Sequence, residues 1–188
     1  MKNEERIFAK QKSKEILDRK EKDARIIARF LEFYAQSLPK AVKNNKNVLL
    51  YYPRQDEINI LPLFDRLLNE GKEIYLPKVV SEAEIVFYKF NPDMLVSGRF
   101  GIKEPDSEQC AKLDLFDNNL IIVPNLCCSV DFTRMGQGGG FYDRFLAGKM
   151  LFKTAFVYEE MLEDTLCAEM HDIKMDVIIT ENKTLRKG

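Results

Sequence analysis

The residues best suited to chemistry form one glycine-rich run at positions 134–144, which holds four of the nine glycines in the chain. Glycine has no side chain, so its backbone can approach a ligand closely and adopt a positive φ. A helical pattern follows, and N–H groups at the start of a helix bind phosphate. Arg134 and Arg144 bracket the run with positive charge, and Asp143 adds a carboxylate of the kind that holds Mg²⁺. The pattern predicts a nucleotide-phosphate loop.

This glycine loop, residues 136–140, does not match the two best-known phosphate motifs. No Gly-Lys-Ser/Thr follows at the spacing of a Walker A motif. Phe141 stands where the dinucleotide-binding fingerprint needs its third glycine. A flexible surface turn is the alternative. The flanking arginines and the Tyr-Asp-Arg sequence at the start of the helix favour phosphate binding over a plain turn.

Lys10 and Lys14 lie four residues apart, which would place them on the same face of a helix. Two ammonium groups in that position repel each other unless an anion lies between them, and a triphosphate would satisfy both. The alternative is a pair of ordinary solvated lysines. From the spacing alone, ordinary solvated lysines are the better interpretation.

Four carboxylates are further candidates. Glu57 follows a strand end and could accept hydrogen bonds from amino groups on a ring, or it could be a loop or helix-terminal charge. Asp143 could stabilise a helix N-terminus or share Mg²⁺ with phosphate oxygens. Asp176 precedes the last buried strand, and Asp172 competes with it. Without a bound metal, either aspartate would be a surface charge.

Histidine and cysteine chemistry has little support. His171 is the only histidine and no nucleophile elbow is present, so a hydrolase triad is not indicated. None of the four cysteines forms a CxxC pair, which argues against a zinc site. Cys127 and Cys128, beside the glycine loop, are interpreted as small buried hydrophobic residues.

The composition predicts one α/β domain over residues 1–188, because 45% of the chain is hydrophobic and its length suits a single core. The net charge of -1 does not call for a nucleic-acid or membrane partner, although residues 1–29 carry ten Lys/Arg against six Asp/Glu. The charged N-terminus does not resemble a signal peptide, and no apolar run reaches transmembrane length. We expect a cytoplasmic monomer that acts on small molecules.

The hydrophobic pattern predicts strands that alternate with helices, and hence a mostly parallel sheet. The first and longest helix should be broken near residues 20–22. A βαβ unit should follow it, with parallel strands, and the strand after that unit should be an antiparallel or edge strand. The predicted helices are residues 4–38, 60–70 and 141–151, and the predicted strands are residues 47–52, 73–76, 85–90, 120–124, 154–157 and 177–180.

This order of elements also predicts where a ligand binds. In open α/β sheets, ligands lie beyond the carboxyl ends of the strands. Two polar segments follow such ends, at residues 52–57 and 125–140. We therefore expect Glu57 and the glycine loop to share one rim of the sheet, although they are far apart in sequence.

Taken together, the motifs resemble the 5-formyltetrahydrofolate cyclo-ligase family, also called 5,10-methenyltetrahydrofolate synthetases. The resemblance runs from about residue 10 to residue 181. Each motif is weak alone, but the order is specific. The motifs are Lys10 and Lys14, Asp56-Glu57, Tyr75-Leu76-Pro77-Lys78, and residues 100–105, 134–144 and 171–180.

The resemblance implies a three-layer fold with a Rossmann-like sheet and helices on both faces. It also implies binding sites for ATP, folate and Mg²⁺, and a catalytic role for Lys10, Lys14 and Arg134. ATP would be bound by Lys10, Lys14, Arg134, Met135, Gly136, Gln137, Gly138, Gly139, Gly140, Phe141 and Tyr142. Folate would be bound by Tyr52, Glu57, Gln137, Gly138, Gly139, Gly140 and Phe141, and Mg²⁺ by Asp143 and Asp176.

The chain departs from the family pattern in two places. Lys14 stands where the family usually has an arginine, which keeps the charge but loses the bidentate fork. Residues 127–131 read Cys-Cys-Ser-Val-Asp where the family prefers small and aromatic residues. Asp176 also begins a strand, whereas ligands are expected at strand ends.

The implied reaction is ATP-dependent closure of 5-formyltetrahydrofolate to 5,10-methenyltetrahydrofolate, by phosphorylation of the formyl oxygen and release of ADP and phosphate. It needs positioning and charge stabilisation rather than a protein nucleophile, which fits a chain without a triad. Two other classes stay open at this point. One is a sugar-phosphate isomerase or acyl-transferase-like enzyme with a phosphate loop. The other is a non-enzymatic RNA-binding module that uses the basic N-terminus.

Overall fold

The computed structural model describes residues 2–114 and 117–188. The helices are α1 (Lys2–Lys12), α2 (Arg19–Gln36), α3 (Lys40–Asn44), α4 (Leu61–Asn69) and α5 (Phe141–Leu146). The strands are β1 (Asn47–Leu49), β2 (Glu73–Val79), β3 (Ile85–Lys89), β4 (Leu95–Ser97), β5 (Lys103–Pro105), β6 (Leu120–Ile122), β7 (Cys127–Ser129), β8 (Arg134–Met135), β9 (Phe152–Phe156), β10 (Leu162–Glu163), β11 (Val177–Ile179) and β12 (Thr184–Arg186).

The central sheet has seven strands in the order β12-β11-β9-β6-β1-β2-β3. The five inner strands are parallel, and the edge strands β3 and β12 run antiparallel to their neighbours. The predicted βαβ unit is present as β1-α4-β2. The antiparallel edge strand is present as β3. The prediction of an α/β fold with a mostly parallel sheet is confirmed.

The sheet is buried because its inner strands are continuously apolar. Leu120, Ile121, Ile122 and Val123 are all inaccessible to solvent, although successive residues of a strand point to opposite faces. Both faces of β6 are therefore covered, as expected for a parallel strand. On α2, one stripe is buried into the same core, formed by Ile26, Ile27, Phe30, Phe33 and Tyr34.

The N-terminal region differs from the prediction of one helix broken near residues 20–22. The structure breaks it earlier, through a 3₁₀ turn at Ser13–Glu15 and an extended link to Asp18, which has a positive φ of 54°. The reason is local: Ile16 is buried, and the chain turns there so that α2 can pack its apolar stripe. The lysines at 20 and 22 lie inside α2.

Several short elements were not predicted. The helix after the glycine loop ends at Leu146 instead of continuing to residue 151, because the chain leaves the helical conformation at Ala147 and Gly148 takes a positive φ. A small sheet, β10-β7-β8, and a hairpin, β4-β5, add to the main sheet. Strands of two or three residues show too little periodicity to be recognised. Among the described residues, no helix is both long and apolar enough to span a membrane.

Candidate active site

A cavity of about 430 Å³ lies at the carboxyl ends of β1, β2 and β6. Tyr52 and Glu57 follow β1, Val79 ends β2, and Asn125 follows β6. The glycine loop lines the same cavity, so the predicted meeting of Glu57 with this loop at one rim is observed. The predicted residues that line the cavity are Tyr52, Glu57, Arg134, Gly136, Gln137, Gly138, Gly139, Gly140, Phe141, Tyr142 and Asp143.

The glycine loop is held by its carbonyl groups. Arg6 Nε donates to the Gly136 carbonyl at 3.0 Å, Arg144 Nη2 donates to the Gly139 carbonyl at 2.6 Å, and the Arg144 amide donates to the Gly140 carbonyl. Within residues 2–114 and 117–188, the main-chain amides of residues 136–140 donate no hydrogen bond. The loop therefore keeps a set of unused N–H donors beside the cavity, which is the arrangement that an anion needs.

Two glycines in this loop are required by conformation or contact. Gly138 has a φ of 103°, and a Cβ there would lie 3.3 Å from the Arg6 guanidinium carbon. At Gly136 a Cβ would lie 2.8 Å from Arg134 Nη1. The loop is thus packed against two arginine side chains, and a larger residue would displace one of them.

Helix α1 brings two cations to the cavity that the sequence analysis missed, Lys2 and Arg6. Lys2 Nζ contacts the Asp172 carboxylate at 2.6 Å and the Glu169 carboxylate at 2.8 Å. Burial lowers the pKa of Lys2, but the hydrogen bonds to these carboxylates outweigh it and raise the pKa overall. The lysine is therefore held charged beside the glycine loop.

The structure does not bring Lys10 and Lys14 to the cavity. Both are exposed, and α1 ends at Lys12, so Lys14 lies in the following 3₁₀ turn rather than one helical turn above Lys10. Lys2 and Arg6 have the same i, i+4 spacing that had singled out the later pair. Sequence spacing could have indicated them, but only the docking of α1 distinguishes one pair from the other.

Arg134 and Asp143 form an ion pair at 2.9 Å, with side chains only 3% and 15% exposed. Arg134 also donates through Nη1 to the Pro124 carbonyl at 3.0 Å. Its guanidinium is therefore largely occupied in holding Asp143 and the end of β6. Met135 beside it is buried in the core and does not line the cavity.

Of the two competing aspartates, the structure brings Asp172 to the cavity and leaves Asp176 outside it. The Asp176 carboxylate accepts from the Lys153 backbone at 2.7 Å and from its Nζ at 2.9 Å, at the amino end of β11. Asp172 instead stands with Glu169 and His171 in one group, with ligand atoms within 4.8 Å of one another.

These oxygens suit Mg²⁺, which takes one or two protein carboxylates together with phosphate and water. The Asp143 Oδ1 accepts from the Ile173 backbone amide at 3.3 Å, so Asp143 and Asp172 come from neighbouring segments of one wall. Hydrogen bonding by Lys2 helps to lower the pKa of Asp172 against the effect of burial, which keeps it ionised. His171 Nε2 lies 3.3 Å from the Glu169 carboxylate, and the His171 side chain is exposed.

Glu57 also lines the cavity, and its carboxylate accepts a hydrogen bond from the Arg54 backbone amide at 2.9 Å. Burial raises the pKa of Glu57 above that of an ordinary carboxyl group. The same cavity has an apolar part, here called the apolar slot, which is lined by Pro77, Val79, Ile85, Ile102 and Phe141. An apolar slot with a carboxylate in the same cavity suits a flat ring that carries amino groups.

Glu104 is a second buried carboxyl that lines this cavity, and the sequence analysis assigned it no role. It is 5% exposed, accepts from the Val79 amide at 3.3 Å, and fills the space where Gly98 would carry a Cβ. Burial raises its pKa. These contacts fasten β5 to β2 and so position Ile102 over the cavity.

The cysteines near the site do not take part in it. Cys127 and Cys128 are buried in the core, and all four cysteines are free thiols. Burial raises the pKa of Cys127 to about 12 and raises that of Cys128 as well. Thiols protonated at neutral pH are poor nucleophiles, so the interpretation of this pair as small buried hydrophobic residues is confirmed.

Comparison with known proteins gives a consistent result. Residues 2–181 match the model of the 5-formyltetrahydrofolate cyclo-ligase family. A 5-formyltetrahydrofolate cyclo-ligase from Mycolicibacterium smegmatis is 30% identical over 147 residues, which covers 74% of this chain and 76% of the relative. The protein of the same name from Escherichia coli is 30% identical over 142 residues, covering 72% and 78%.

Solved structures agree with this. The NMR structure of Aquifex aeolicus 5,10-methenyltetrahydrofolate synthetase superimposes with a TM-score of 0.79 at 31% identity and covers 98% of this chain and 92% of that one. A synthetase of the same name from Mycoplasma pneumoniae superimposes with a TM-score of 0.70 at 24% identity, covering 96% and 98% of the two chains, which shows a shared fold.

Proposed function

Because this chain belongs to the 5-formyltetrahydrofolate cyclo-ligase family, and is an enzyme of that class, we propose that it closes the ring by ATP-driven phosphorylation of the formyl oxygen. The observation that supports this mechanism is the glycine loop: arginines hold its Gly136 and Gly139 carbonyls, its amides donate no hydrogen bond within the described part of the chain, and Glu57 lines the same cavity. Family membership excludes the isomerase, acyl-transferase-like and RNA-binding alternatives.

In the proposed reaction the oxygen of the N5-formyl group attacks the γ-phosphorus of ATP. The bond from that phosphorus to the oxygen that bridges it to the β-phosphate breaks. ADP leaves, and the formyl carbon becomes an iminium carbon that carries a phosphate. N10 then attacks this carbon and loses its proton, and inorganic phosphate departs with the former formyl oxygen. The oxygen of an amide is a poor leaving group, and phosphorylation makes it a good one.

The polyphosphate would be held by the free amides of residues 136–140 together with Arg6 and Lys2. These two cations replace Lys10 and Lys14, because they line the cavity and the later lysines do not. Fixed donors of this kind stabilise the charge that develops on the transferring phosphoryl group. Arg134 would act mainly by holding Asp143, since its guanidinium is buried against that carboxylate.

Mg²⁺ would be held by Asp143 and Asp172 rather than by Asp143 and Asp176. When bound, the ion neutralises charge on the phosphate oxygens and orients them. Asp143 has one oxygen fixed by Arg134 and the other near the backbone of Ile173, which orients the carboxylate in advance. Asp172 would exchange its contact with Lys2 as the phosphates enter.

Folate would enter the apolar slot with its pterin ring between Phe141 and the Val79–Ile85 side. Glu57 would accept hydrogen bonds from the amino groups at the end of the ring, and Tyr52 would contact the more exposed part. This orientation puts N5 and its formyl group toward the glycine loop, where the γ-phosphate lies. Proximity of the two substrates would then add to the rate enhancement that charge stabilisation provides.

The test is product formation from 5-formyltetrahydrofolate, followed through the ultraviolet absorbance of the methenyl product. The purified protein should form it only with ATP and Mg²⁺, releasing one ADP and one phosphate per product. An ATP analogue with a non-transferable γ-phosphate should bind but give no product. Product formed equally well with this analogue would refute the phosphorylation step while leaving the ring-closing activity intact.

A further inference from the structure

Arg144 makes three side-chain contacts next to the cavity, and only its bond to the Gly139 carbonyl has been given a role above. Its Nε donates to the Ala83 carbonyl at 2.7 Å, and its Nη2 donates to the Gly139 carbonyl at 2.6 Å. Its guanidinium carbon also lies 5.4 Å from the centroid of the Phe141 ring. One side chain thus touches the β2–β3 turn, the glycine loop and an aromatic residue of the cavity wall.

These contacts join two walls that are separate in the chain. Ala83 lies in the turn between β2 and β3, whose Val79 and Ile85 line the apolar slot. Among the residues that the structure describes, the bond from Arg144 to Ala83 is the one hydrogen bond between residues 80–84 and residues 136–144. Phe145 packs on Phe87 further from the rim, with ring centroids 4.7 Å apart.

The side chains around these contacts are closely packed. A Cβ at Gly139 would lie 2.8 Å from the Phe141 ring, and a Cβ at Gly140 would lie 2.6 Å from Arg144 Nη1. Arg144 and Phe141 therefore both lie close to the backbone of Gly139 and Gly140. Movement of the guanidinium would release the Gly139 carbonyl and the Phe141 ring together.

We propose that Arg144 is a positioning residue that sets the width of the slot for the flat ring of the folate, acting through Phe141 and the β2–β3 turn. The inference rests on the proposed function, because it assigns that slot to the pterin. Arg144 need not touch either substrate. A planar guanidinium can donate to two carbonyls in its own plane while it stacks on a ring, and an ammonium group cannot.

The first experiment measures KM for each substrate in Arg144→Met and Arg144→Lys. We expect KM for 5-formyltetrahydrofolate to rise about tenfold in Arg144→Met, the size typical of losing a hydrogen bond to a charged group. KM for ATP should change less than about twofold, because the loop keeps its Arg6 contact. In Arg144→Lys, KM for 5-formyltetrahydrofolate should lie between the wild-type and Arg144→Met values or equal the latter. The charge of lysine alone does not replace the planar, two-donor geometry of the guanidinium.

Arg66→Met is the matched control. Arg66 is another exposed helical arginine, paired with Glu70 on α4 and remote from the cavity. The Arg66→Met variant should leave KM for both substrates unchanged. Thermal unfolding should show that the Arg144 variants remain folded. A double-mutant cycle with Phe141→Leu should be strongly non-additive for folate KM if Arg144 acts through that ring.

The outcomes separate this proposal from the proposed function. If the wild-type protein forms no methenyl product, the proposed function fails first. If it forms product but Arg144→Met has wild-type folate KM, the positioning role is refuted. A larger rise in KM for ATP than for folate would also refute it, because Arg144 would then act on phosphate. Additive effects with Phe141→Leu would exclude action through the ring.

Discussion

At the scale of single residues, the charged groups of the cavity are already paired with each other. Lys2 contacts Asp172, and Arg134 contacts Asp143. Charges that are partly buried need such partners, because desolvation of an unpaired charge is expensive. The two pairs differ in how accessible their cations are. Lys2 on α1 lines the cavity and is 18% exposed, whereas the Arg134 side chain is only 3% exposed. We therefore expect substrates to displace the first pair and to leave the second intact.

Substitution of Asp143 tests the enclosed pair. We expect Asp143→Asn to lower kcat by about a hundredfold or more, because an amide is a much weaker ligand for Mg²⁺ than a carboxylate. The asparagine oxygen can still accept from Arg134, but the buried guanidinium loses its anionic partner, so the free energy of unfolding should also fall, by about 3–5 kcal/mol. Urea unfolding and turnover at saturating Mg²⁺ measure both effects. Unchanged turnover would remove Asp143 from the site.

Glu57→Gln tests the folate end. Glutamine keeps the shape of glutamate but loses the charge that strengthens hydrogen bonds from ring amino groups. We expect KM for folate to rise about tenfold, with little change in KM for ATP. Steady-state kinetics with each substrate varied in turn give the comparison. Equal rises in both values would argue against Glu57 as the partner of the pterin.

The pH dependence of folate binding follows from the same residue. Burial raises the pKa of Glu57, so its carboxylate is protonated at a higher pH than an exposed glutamate would be. As pH falls through this raised pKa, the group loses its negative charge and KM for folate should increase. In Glu57→Gln this acid-side increase should disappear, leaving a flatter profile. If the variant showed the same rise in KM for folate at low pH, that rise would come from another titrating group.

At the scale of elements, α1 is attached by polar contacts rather than by the core. Ala9 is its only buried residue, and its polar contacts with the rest of the protein include the Lys2 pairs, the Lys12–Glu163 pair, the bond from the Cys167 amide to Glu5 and the Arg6 bond to Gly136. Such contacts stabilise less than apolar burial does. The helix therefore contributes more to the charge of the cavity than to the stability of the fold.

A pair of variants on α1 tests which cations serve ATP. We expect Arg6→Met to raise KM for ATP about tenfold, because it removes a donor from the glycine loop and a positive charge from the cavity. Lys10→Met, one helical turn away and exposed, should leave KM unchanged. Both variants should unfold at the same temperature as the wild type. The opposite ranking would restore the assignment of Lys10 to the site.

At the scale of the whole molecule, the site depends on one continuous core. The cavity is built on the ends of β1, β2 and β6; β1 and β6 are buried on both faces, whereas the last residues of β2 are half-buried. Close packing in such a core transmits any loss of volume to its neighbours. Glu57 follows β1, the neighbour of β6 in the main sheet, and the glycine loop follows β8, which pairs with β7 in the small sheet, so their relative positions depend on both sheets.

Ile121→Ala in the middle of β6 tests this dependence. Ile121 is fully buried, so the variant should lose about 2–5 kcal/mol of the free energy of unfolding, from lost burial and the cavity left behind. Met150→Ala, at an exposed methionine, should change it by less than about 0.5 kcal/mol. Urea denaturation measures both. Equal losses would mean that the β6 layer is not the centre of the core.

The sequence predicted those parts of the fold whose signal is local and repeated. The apolar run that contains β6 and the alternation of β1, α4 and β2 indicated a parallel sheet. That sheet in turn predicted that Glu57 and the glycine loop would meet. The small β10-β7-β8 sheet was missed because two-residue and three-residue strands carry no usable period. The early end of α1 was missed because lysines continue through the 3₁₀ turn.

The α/β class, the glycine loop and the family could be recognised from residue types and their order along the chain. The docking of the elements was needed to show that Lys2 and Arg6 line the cavity instead of Lys10 and Lys14, and that Asp172 does so instead of Asp176. Each choice is between residues of the same charge that lie four or eight positions apart. Their difference lies in the direction that α1 and the segment before β11 take when they dock, which is a property of packing and not of spacing.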